Sequence, residues 1–383
     1  MVRCTTARVD LKALESNFKA IAAYLTNESG LNRGAGRGPA IAPGIIAVVK
    51  ANAYGHGACR VAATLEAAGA TMLAVADIEE GVDLRKSGVR APILIFGALS
   101  VSDLDGVFDH DLTPTISSPA AGHALQQGAA RRGATLRYHL KIDTGMNRLG
   151  FRHDNLRRTL PELLASKNLV IDAVHTHFGT ADEPGHKLFE TQRTRFEAAC
   201  RTLDELGAGP RLRHAANSAA LLRDSRVWFD FVRPGLLLYG LVPPPLAATI
   251  ALKPVMSLTS QVVAVKGVRI GETVGYGGRF ATERPVTLAV IPAGYADGLD
   301  RRLEDHGVVL IRGRRAKIVG AVSMDMLTAD VTDIDGVGTG DEVVFLGSQG
   351  DTSIDAREMA AWIGTIPYEV LCRLGARVER RYE

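Results

Sequence analysis

The sequence has few cysteines, no long apolar run and no excess of one charge. Its four cysteines in 383 residues are scattered without a Cys-x-x-Cys pair, which disfavours a disulfide framework and a zinc site. No apolar run approaches the ~20 residues that cross a bilayer. The opening MVRCTTARVD lacks the apolar core of a signal peptide. We therefore predict no membrane segment and a cytoplasmic protein.

Charge and composition are those of an ordinary globular protein. The 45 basic and 42 acidic residues leave a formal charge of +3, which is too even for the electrostatic footprint of a nucleic-acid partner. Hydrophobic residues make up 46% and charged residues 23%, so the chain can bury a large core. Its length predicts about two domains.

Apolar runs alternate with helix-like stretches over the first two thirds of the chain. The runs are 45–50, 71–76, 93–97, 112–116, 136–143, 171–178, 212–217 and 229–235. The helix-like stretches are 11–24, 58–68, 79–86, 120–131, 155–166 and 186–206, with Asp10 as an N-cap. Eight strands in about 250 residues predict an α/β fold, a (β/α)8 TIM-like barrel. An open doubly wound sheet fits the alternation too, but no G-x-G-x-x-G follows the first strand.

After Leu252 the pattern changes to short β-rich runs separated by turns, as in DEVVFLG and TLAVIPAG. We predict a barrel over 11–247 and a C-terminal all-β domain over 248–383, with residues 1–10 adding a strand to either unit. The Gly- and Pro-rich segment 27–44 is predicted to be a surface loop.

Active sites of such barrels lie at the carboxyl ends of the strands. There we expect a lysine, histidines, a hydroxyl, arginines and glycines to converge, namely Lys50, Lys141, Arg148, His175, His177, Ser218, Arg233 and Gly235. A lysine that ends an apolar strand has a pKa lowered by desolvation and can form a Schiff base with an aldehyde cofactor. The alternative is a lysine that extends to solvent. Tyr54, Gly55 and Gly57 follow it closely.

Ser218 and Gly235 lie where strands end, and free N–H groups there can bind phosphate; Ser218 could equally be an N-cap. Arg233 could form a structural ion pair. We expect His175 and His177 to face opposite sides of their strand, one packed inside and one reaching the site, so we predict no metal site. In the second domain Tyr276 lies in the glycine-rich turn GETVGYGGRF.

These residues occur in motifs that resemble a known family. AVVKANAYGHGA (47–58) closely resembles the cofactor-lysine motif of alanine racemases, which use pyridoxal 5′-phosphate. Further matches follow in the family's order: KIDTGMNRLGF, VHTHFGTAD, HAANSAA, VRPGLLLYG, IPAGYADGLDRRL, SMD and IPYEVL. The resemblance spans the whole chain and implies a barrel followed by a β domain.

The resemblance also implies roles for individual residues. Lys50 would hold pyridoxal 5′-phosphate covalently, and five residues would contact its phosphate: Tyr54, Ser218, Gly235, Leu236 and Tyr368. His177 would lie against the pyridine ring. Arg233, supported by His214, would bind the ring nitrogen without protonating it, since the pKa of arginine is above about 12. Arg148 would lie by the cofactor oxygen and the substrate carboxylate, and the backbone of Met324 would bind the same carboxylate. Lys141 matches a position that is often carbamylated in the family, where it holds this arginine.

Racemisation needs a base on each face of Cα. By the resemblance, Lys50 moves the proton of the D-enantiomer and Tyr276 that of the L-enantiomer. Tyr276 and Met324 would come from the partner subunit, so a homodimer is implied. The family's product, D-alanine, is used for peptidoglycan.

Three departures from the family pattern are Gly275 in place of Ser, Gly179 in place of Ala, and Ala321 in place of an arginine of the substrate corridor. The alternatives are a broad-specificity or serine racemase, a pyridoxal-phosphate decarboxylase and a non-catalytic pyridoxal-phosphate protein. A decarboxylase would need an acidic group where Arg233 stands, and a single-barrel carrier would lack the second domain.

Overall fold

The computed structural model of the protein describes residues 4–31, 42–99, 104–247 and 249–383. The chain forms two compact units. A barrel unit comprises the described residues of Leu14–Ala53 and Ala58–Lys253. A β unit comprises residues 4–13, Tyr54–Gly57 and Pro254–Glu383. The predicted boundary between 247 and 248 stays a prediction.

Eight parallel strands close the barrel, which confirms the predicted fold class. In chain order they are Gly44–Val48, Met72–Val75, Ile93–Ile95, Thr113–Ile116, Leu136–Asp143, Leu169–His175, Leu212–Asn217 and Phe231–Arg233. Each pairs with the next, and the eighth returns to the first through Val232 beside Ile45. Every predicted apolar run in this region therefore overlaps a barrel strand, and the first and sixth strands begin one and two residues before their runs.

The barrel strands are apolar because both of their faces are covered. Within the first strand Ile45, Ile46, Ala47 and Val48 are at most 5% exposed. The helices of this region are Leu11–Leu31, Lys50–Tyr54, Ala58–Ala67, Ile78–Lys86, Asp105–Asp109, Pro119–Arg132, Leu156–Thr159, Pro161–Leu164, Leu188–Glu205 and Ser218–Arg223. Short 3-10 helices cover Ser225–Val227 and Leu236–Tyr239, and Phe151–Arg152 adds a short strand beside the fifth.

Most predicted helices are confirmed, with differences at their ends. Asp10 caps the first helix, since its Oδ1 accepts from the N–H of Ala13 at 2.8 Å. That helix continues to Leu31, so the loop prediction is wrong for residues 27–31, while 32–41 lie outside the described residues. The stretch predicted as one helix over 155–166 is two helices that meet at Pro161, because proline interrupts a helix interior.

The β unit is built mainly from one large sheet. Its strands are Thr6–Val9, Met256–Gln261, Ala264–Val268, Val286–Ile291, Val308–Ile311, Arg314–Ile318, Leu327–Asp330, Glu342–Gln349, Thr352–Ile354 and Glu379–Tyr382, and Thr273–Val274 pairs separately with Phe280–Ala281. The N-terminal strand lies antiparallel to Met256–Gln261 and parallel to Glu379–Tyr382. Short 3-10 helices cover Tyr276–Gly278, Tyr295–Asp297 and Arg301–Leu303.

Two helices, Ala356–Ile363 and Pro367–Cys372, make the β unit mostly-β and not all-β as predicted. Their signals are local. Asp355 caps the first helix by accepting from the N–H groups of Arg357 and Glu358, and proline stands at the first position of the second, where no N–H is needed. Eight and six residues are too short for a clear helical period.

Asn17 connects the first helix by hydrogen bonds to the segment that follows the last barrel strand. Its side-chain amide donates to the carbonyls of Leu238 (3.0 Å) and Lys253 (2.8 Å), and its oxygen accepts from the N–H of Lys253 (2.8 Å). Asn17 is 1% exposed, so water cannot replace these bonds.

We predict that Asn17→Ala lowers the free energy of unfolding by about 3 kcal/mol, because buried carbonyl and N–H groups lose their partners. Lys19→Ala on the exposed face of the same helix should cost about 0.5 kcal/mol. Urea denaturation of both variants measures the difference. Equal losses would contradict the role given to Asn17.

Candidate active site

Arg233 ends the eighth barrel strand and is the most strongly held side chain of the site. It is 3% exposed. One guanidinium nitrogen donates to Nδ1 of His214 at 2.8 Å, and another donates to the carbonyls of Thr176 (2.7 Å) and Ala215 (2.8 Å). Burial lowers the pKa of Arg233 from 12.5 to about 9, below the expected value. It remains a cation at neutral pH.

A chain of histidines continues from Arg233 into the barrel. Since Arg233 can only donate, Nδ1 of His214 accepts and its Nε2 donates to Nδ1 of His139 at 2.9 Å. The ring of His175 stacks on that of His214, with centroids 4.6 Å apart. Burial, followed by the charge of Arg233, lowers the pKa of His139 to about 3. The pKa values of His175 and His214 are also lowered well below 6.5, so these rings are neutral.

His177 lies just beyond the sixth strand, with Nδ1 3.5 Å from Arg233. Its pKa is lowered well below 6.5 by burial and then by the charges of Lys141, Arg233, Arg148 and Lys50. The side chains of these four residues therefore lie near His177, and the structure brings together the ends of the first, fifth, sixth and eighth strands.

The assignment of His175 and His177 to opposite faces is wrong. Strand side chains repeat with a period of two, so these residues point to the same side: His175 contacts His214, and His177 contacts Arg233, which also contacts His214. His175 does pack inside while His177 reaches the site. Among the described residues, no group of three or more His, Cys, Asp or Glu side chains could hold a metal ion.

Lys141 and Arg148 flank the site on the fifth strand and the loop after it. The pKa of Lys141 is lowered well below 10.5 by burial, then by the charges of Arg233 and Arg148, against a weaker opposite effect of Asp143. Arg148 itself is exposed. The carboxylate of Asp143 accepts from the N–H groups of Gly145 and Asn147, which fixes the loop as a capped turn.

Ser218 and Gly235 meet at the other side of the barrel end. The hydroxyl oxygen of Ser218 accepts from the N–H of Gly235 at 3.0 Å and from that of Leu237 at 3.5 Å. The helix that begins at Ser218 is capped by Asn217, which accepts from Ala220, so the N-cap interpretation of Ser218 is wrong. Leu236 follows Gly235 and is fully buried. One hydroxyl and neighbouring N–H groups thus face each other, a donor set suited to phosphate.

The turn after Lys50 is left-handed, a feature that the sequence analysis missed. Ala51, Asn52, Ala53 and Tyr54 have φ between 52° and 54°. This conformation costs roughly 1–2 kcal/mol for each residue that has a Cβ. Lys50, which is half-buried, therefore stands at the junction between a relaxed strand and a strained turn.

Within the β unit, Tyr54 contacts Tyr368, with ring centroids 5.9 Å apart. Tyr54 is 7% exposed, and its pKa is raised by burial and then by Tyr368 and Cys372, so its hydroxyl stays protonated. Gly55 has φ 81°, and a Cβ there would clash with the carbonyl of Leu371. The two tyrosines that the resemblance assigns to the phosphate are thus neighbours.

Tyr276 is 77% exposed. The residue before it, Gly275, has φ 76°, and a Cβ at this position would lie 2.9 Å from the backbone nitrogen of Ala321. Two of the departures from the family pattern therefore lie against each other, and serine would be strained at position 275.

Met324 is 53% exposed, and its backbone is held by residues that the sequence analysis passed over. The Met324 carbonyl accepts from the N–H of Ala296 (3.1 Å) and from Arg377 (3.2 Å). Arg377 also donates twice to the buried Asp297, at 2.7 and 3.0 Å. Arg377 therefore joins the GYADG turn, through its ion pair with Asp297, to the SMD turn, through the Met324 carbonyl.

The chain combines a closed barrel with a mostly-β unit. The carboxyl end of the barrel carries a lysine, a buried arginine and donors suited to phosphate, and these features together define a two-unit class of barrel enzyme. Comparison with known proteins identifies the family. "Alanine racemase, N-terminal domain" matches residues 9–243, and "Alanine racemase, C-terminal domain" matches 255–382. The chain belongs to the alanine racemase family, whose reaction is the interconversion of L- and D-alanine, and it is an isomerase.

Individual relatives agree with this assignment. The alanine racemase of Symbiobacterium thermophilum is 40% identical, covering 100% of this chain and 97% of that one. The alanine racemase of Carboxydothermus hydrogenoformans is 44% identical over 88% of this chain and 91% of the relative. The solved biosynthetic alanine racemase of Pseudomonas aeruginosa is 36% identical with a TM-score of 0.84, covering 100% and 99%. No helix among the described residues is long and apolar enough to span a membrane.

The neutral histidines predict acid sensitivity. The unfolded chain takes up protons on these rings below pH 6.5, whereas folded His139 does so only near pH 3. The unfolded state therefore binds more protons in this window, and stability falls as the pH falls.

The substitution His139→Asn keeps an acceptor for His214. We expect it to reduce the fall in the free energy of unfolding by about 1.4 kcal/mol for each pH unit between pH 6.5 and about pH 3. Urea midpoints measured from pH 7 to pH 4 give this slope. His123→Gln, at an exposed histidine of the helix Pro119–Arg132, should leave it unchanged. An unaltered slope in His139→Asn would show that the ring titrates normally.

Proposed function

We propose that the chain interconverts L- and D-alanine with pyridoxal 5′-phosphate bound at the carboxyl end of the barrel and with two bases, Lys50 and the partner subunit's Tyr276. The observation that carries the proposal is the convergence of Lys50, Lys141, Arg148 and Arg233 around His177. The guanidinium groups of Arg148 and Arg233 are cations at this barrel end, and a phosphorylated cofactor with a carboxylate substrate carries the complementary negative charge.

The described residues fit this cofactor by the chemistry of their donors. Lys50 offers a primary amine to the aldehyde, and the Ser218 hydroxyl with the N–H of Leu236 offers donors to the phosphate. The N–H of Gly235, which donates to Ser218, would exchange that acceptor for a phosphate oxygen. Tyr54 and Tyr368 add two phenolic hydroxyls. Arg233 offers a fixed N–H donor to the ring nitrogen, and the half-buried His177 offers a flat, neutral face to the ring. When bound, the cofactor supplies an electron sink for the bond broken at Cα.

Arg233 sets how strong that sink is. It is a cation held by two carbonyls and His214, so it would donate a hydrogen bond to the ring nitrogen and keep its proton. Arg233 would thereby leave the cofactor a weaker electron sink, which would favour return of the proton to Cα over side reactions. His214 and His139 hold the guanidinium in place.

The two bases act on opposite faces of Cα. The Lys50 amine removes or returns the proton on the face of the D-enantiomer, and the Tyr276 phenol acts on the face of the L-enantiomer. Tyr276 and Met324 are exposed on their own chain, at 77% and 53%. This exposure supports their assignment to the site of a second copy in a homodimer. Arg148 and the backbone of Met324 orient the substrate through its carboxylate.

The substrate range depends on the side chains that would face the substrate. Tyr368, beside Tyr54, would crowd the substrate side chain and favour alanine, while a broad-specificity or serine racemase would share the same chemistry. Two solved relatives carry substrate-like molecules: the alanine racemase of Bacillus anthracis with bound L-Ala-P, and that of Clostridium difficile with cycloserine. A cytoplasmic location remains a prediction from the opening residues, and a supply of D-alanine for peptidoglycan remains a prediction from the resemblance.

Incubation of the purified protein and pyridoxal 5′-phosphate with L-Ala, L-Ser, L-Lys or L-Arg, followed by chiral chromatography, tests the proposal. We expect D-alanine to form fastest. Release of carbon dioxide would establish a decarboxylase instead, and bound cofactor without turnover a non-catalytic binding protein.

Lys50→Ala should remove the visible absorbance of lysine-bound cofactor and lower kcat by at least about a thousandfold, since both the covalent anchor and one base are lost. Absorbance spectra and the racemisation assay measure these effects. Lys86→Ala, at an exposed lysine of another helix, is the control. Retention of both signals in Lys50→Ala would remove Lys50 from the site.

Tyr276→Phe should preserve cofactor binding and lower kcat about a hundredfold or more, with the larger fall from L to D. Because the equilibrium constant between enantiomers is one, kcat/KM must fall equally in both directions. The sharper readout is proton exchange in D2O: exchange at Cα of D-alanine through Lys50 should persist, while that of L-alanine is lost. Tyr24→Phe in the first helix is the control. Equal exchange of both enantiomers would exclude Tyr276 as a base.

A further inference from the structure

Glu80 is not among the residues assigned to the site. Both of its carboxylate oxygens nevertheless accept hydrogen bonds from backbone N–H groups at the carboxyl end of the barrel, next to the site. Oε1 accepts from the N–H of Ala51, the residue after Lys50, at 2.6 Å. Oε2 accepts from the N–H of Ala76, just after the second barrel strand, at 2.8 Å. The N–H of Glu80 is itself held by the capping Asp77 at 2.9 Å. The carboxylate therefore bridges the ends of two neighbouring barrel strands.

The segment that Glu80 holds is the left-handed turn. Ala51 has φ 53° and ψ 53° and no side-chain group that could stabilise this conformation. The next residues have local support: the side chain of Asn52 accepts from the N–H of Ala58 at 2.8 Å, and the N–H of Ala53 donates to the carbonyl of Val49 at 2.8 Å. At Ala51 the support comes from Glu80. A hydrogen bond to a charged acceptor is roughly twice as strong as one between neutral groups.

The conformation of Ala51 determines where Lys50 points. A return of Ala51 to the right-handed region would change φ by more than 100° and redirect the peptide between the two residues. We propose that Glu80 is a positioning residue, which fixes the left-handed turn behind Lys50 and so keeps the Lys50 amine aimed at the cofactor. This inference rests on the proposed role of Lys50.

The competing explanation is that Glu80 only stabilises its helix, Ile78–Lys86, as an acidic residue of the first turn. Glu79 shares that turn and that charge and is exposed. Glu79→Gln is therefore the matched control for Glu80→Gln. The glutamine at position 80 keeps the shape of the side chain but has one acceptor oxygen, so its NH2 group must face one of the two backbone N–H groups.

The test measures binding of pyridoxal 5′-phosphate to the full-length apoprotein. Fluorescence quenching and the visible absorbance band of lysine-bound cofactor report the binding. We expect Glu80→Gln to weaken binding about tenfold or more, and Glu79→Gln to change it less than about twofold. Borohydride reduction and peptide mass spectrometry then report the fraction of chains modified at Lys50. This fraction should fall in Glu80→Gln at a fixed, subsaturating cofactor concentration.

Substitution of Ala51 separates positioning from simple stability. Ala51 is exposed, and glycine adopts positive φ freely, so Ala51→Gly in the Glu80→Gln background should restore at least about a third of the lost affinity. Ala51→Val, with Glu80 intact, should weaken binding in the same way, because β-branched residues resist positive φ. Restoration of affinity by Ala51→Gly is not expected if Glu80 merely stabilises its helix, whereas the loss in Ala51→Val tests only whether binding depends on the left-handed turn.

Wild-type affinity in Glu80→Gln, or a loss that Ala51→Gly leaves untouched, would overturn the inference. Failure of the proposed function looks different: the cofactor adduct would map to a lysine other than Lys50 in the wild-type chain, whatever the effect of Glu80.

Discussion

The buried charge of Arg233 is the constraint on which the barrel end depends. Its guanidinium is held by two backbone carbonyls and one imidazole, and its charge contributes to the lowered pKa values of His139, His175, His177, His214 and Lys141. An isolated buried cation is costly. The rings of His139, His175 and His214 therefore stay neutral, and Nδ1 of His214 accepts a hydrogen bond from the guanidinium. The same charge orients the donor that would face the ring of a bound cofactor.

A second constraint is the left-handed turn after Lys50. Four residues with a Cβ adopt a conformation that few such residues adopt, and strain of this kind persists only where the surroundings impose it. Here the hydrogen bonds of Glu80, Asn52 and Val49 impose it. The cost is compatible with function, because a rigid turn places a reactive amine more accurately than a flexible one.

The sequence predicted the barrel well and the details of its interior less well. Alternating apolar runs marked all eight strands because a strand buried on both faces is nearly continuous in hydrophobicity. The short helix Pro367–Cys372 and the extension of the first helix to Leu31 were missed, since neither shows enough turns for a helical period to be recognised.

The ends of the predicted strands pointed to Lys50, His177 and Arg233 as site residues. His139 was missed because it lies in mid-strand among apolar residues, and Glu80 was missed because it acts through backbone groups that no side-chain pattern reveals. The exposure of Tyr276, at 77%, was not predicted, because the glycine-rich turn around it carries no burial pattern.

The contact between Gly275 and Ala321 links two positions that are 46 residues apart in the chain. A side chain at 275 would meet main chain, which cannot rotate away as a flexible side chain would. Any residue with a Cβ at position 275 would therefore require the backbone of Gly320 and Ala321 to move, whereas a change of the Ala321 side chain alone would leave this contact in place.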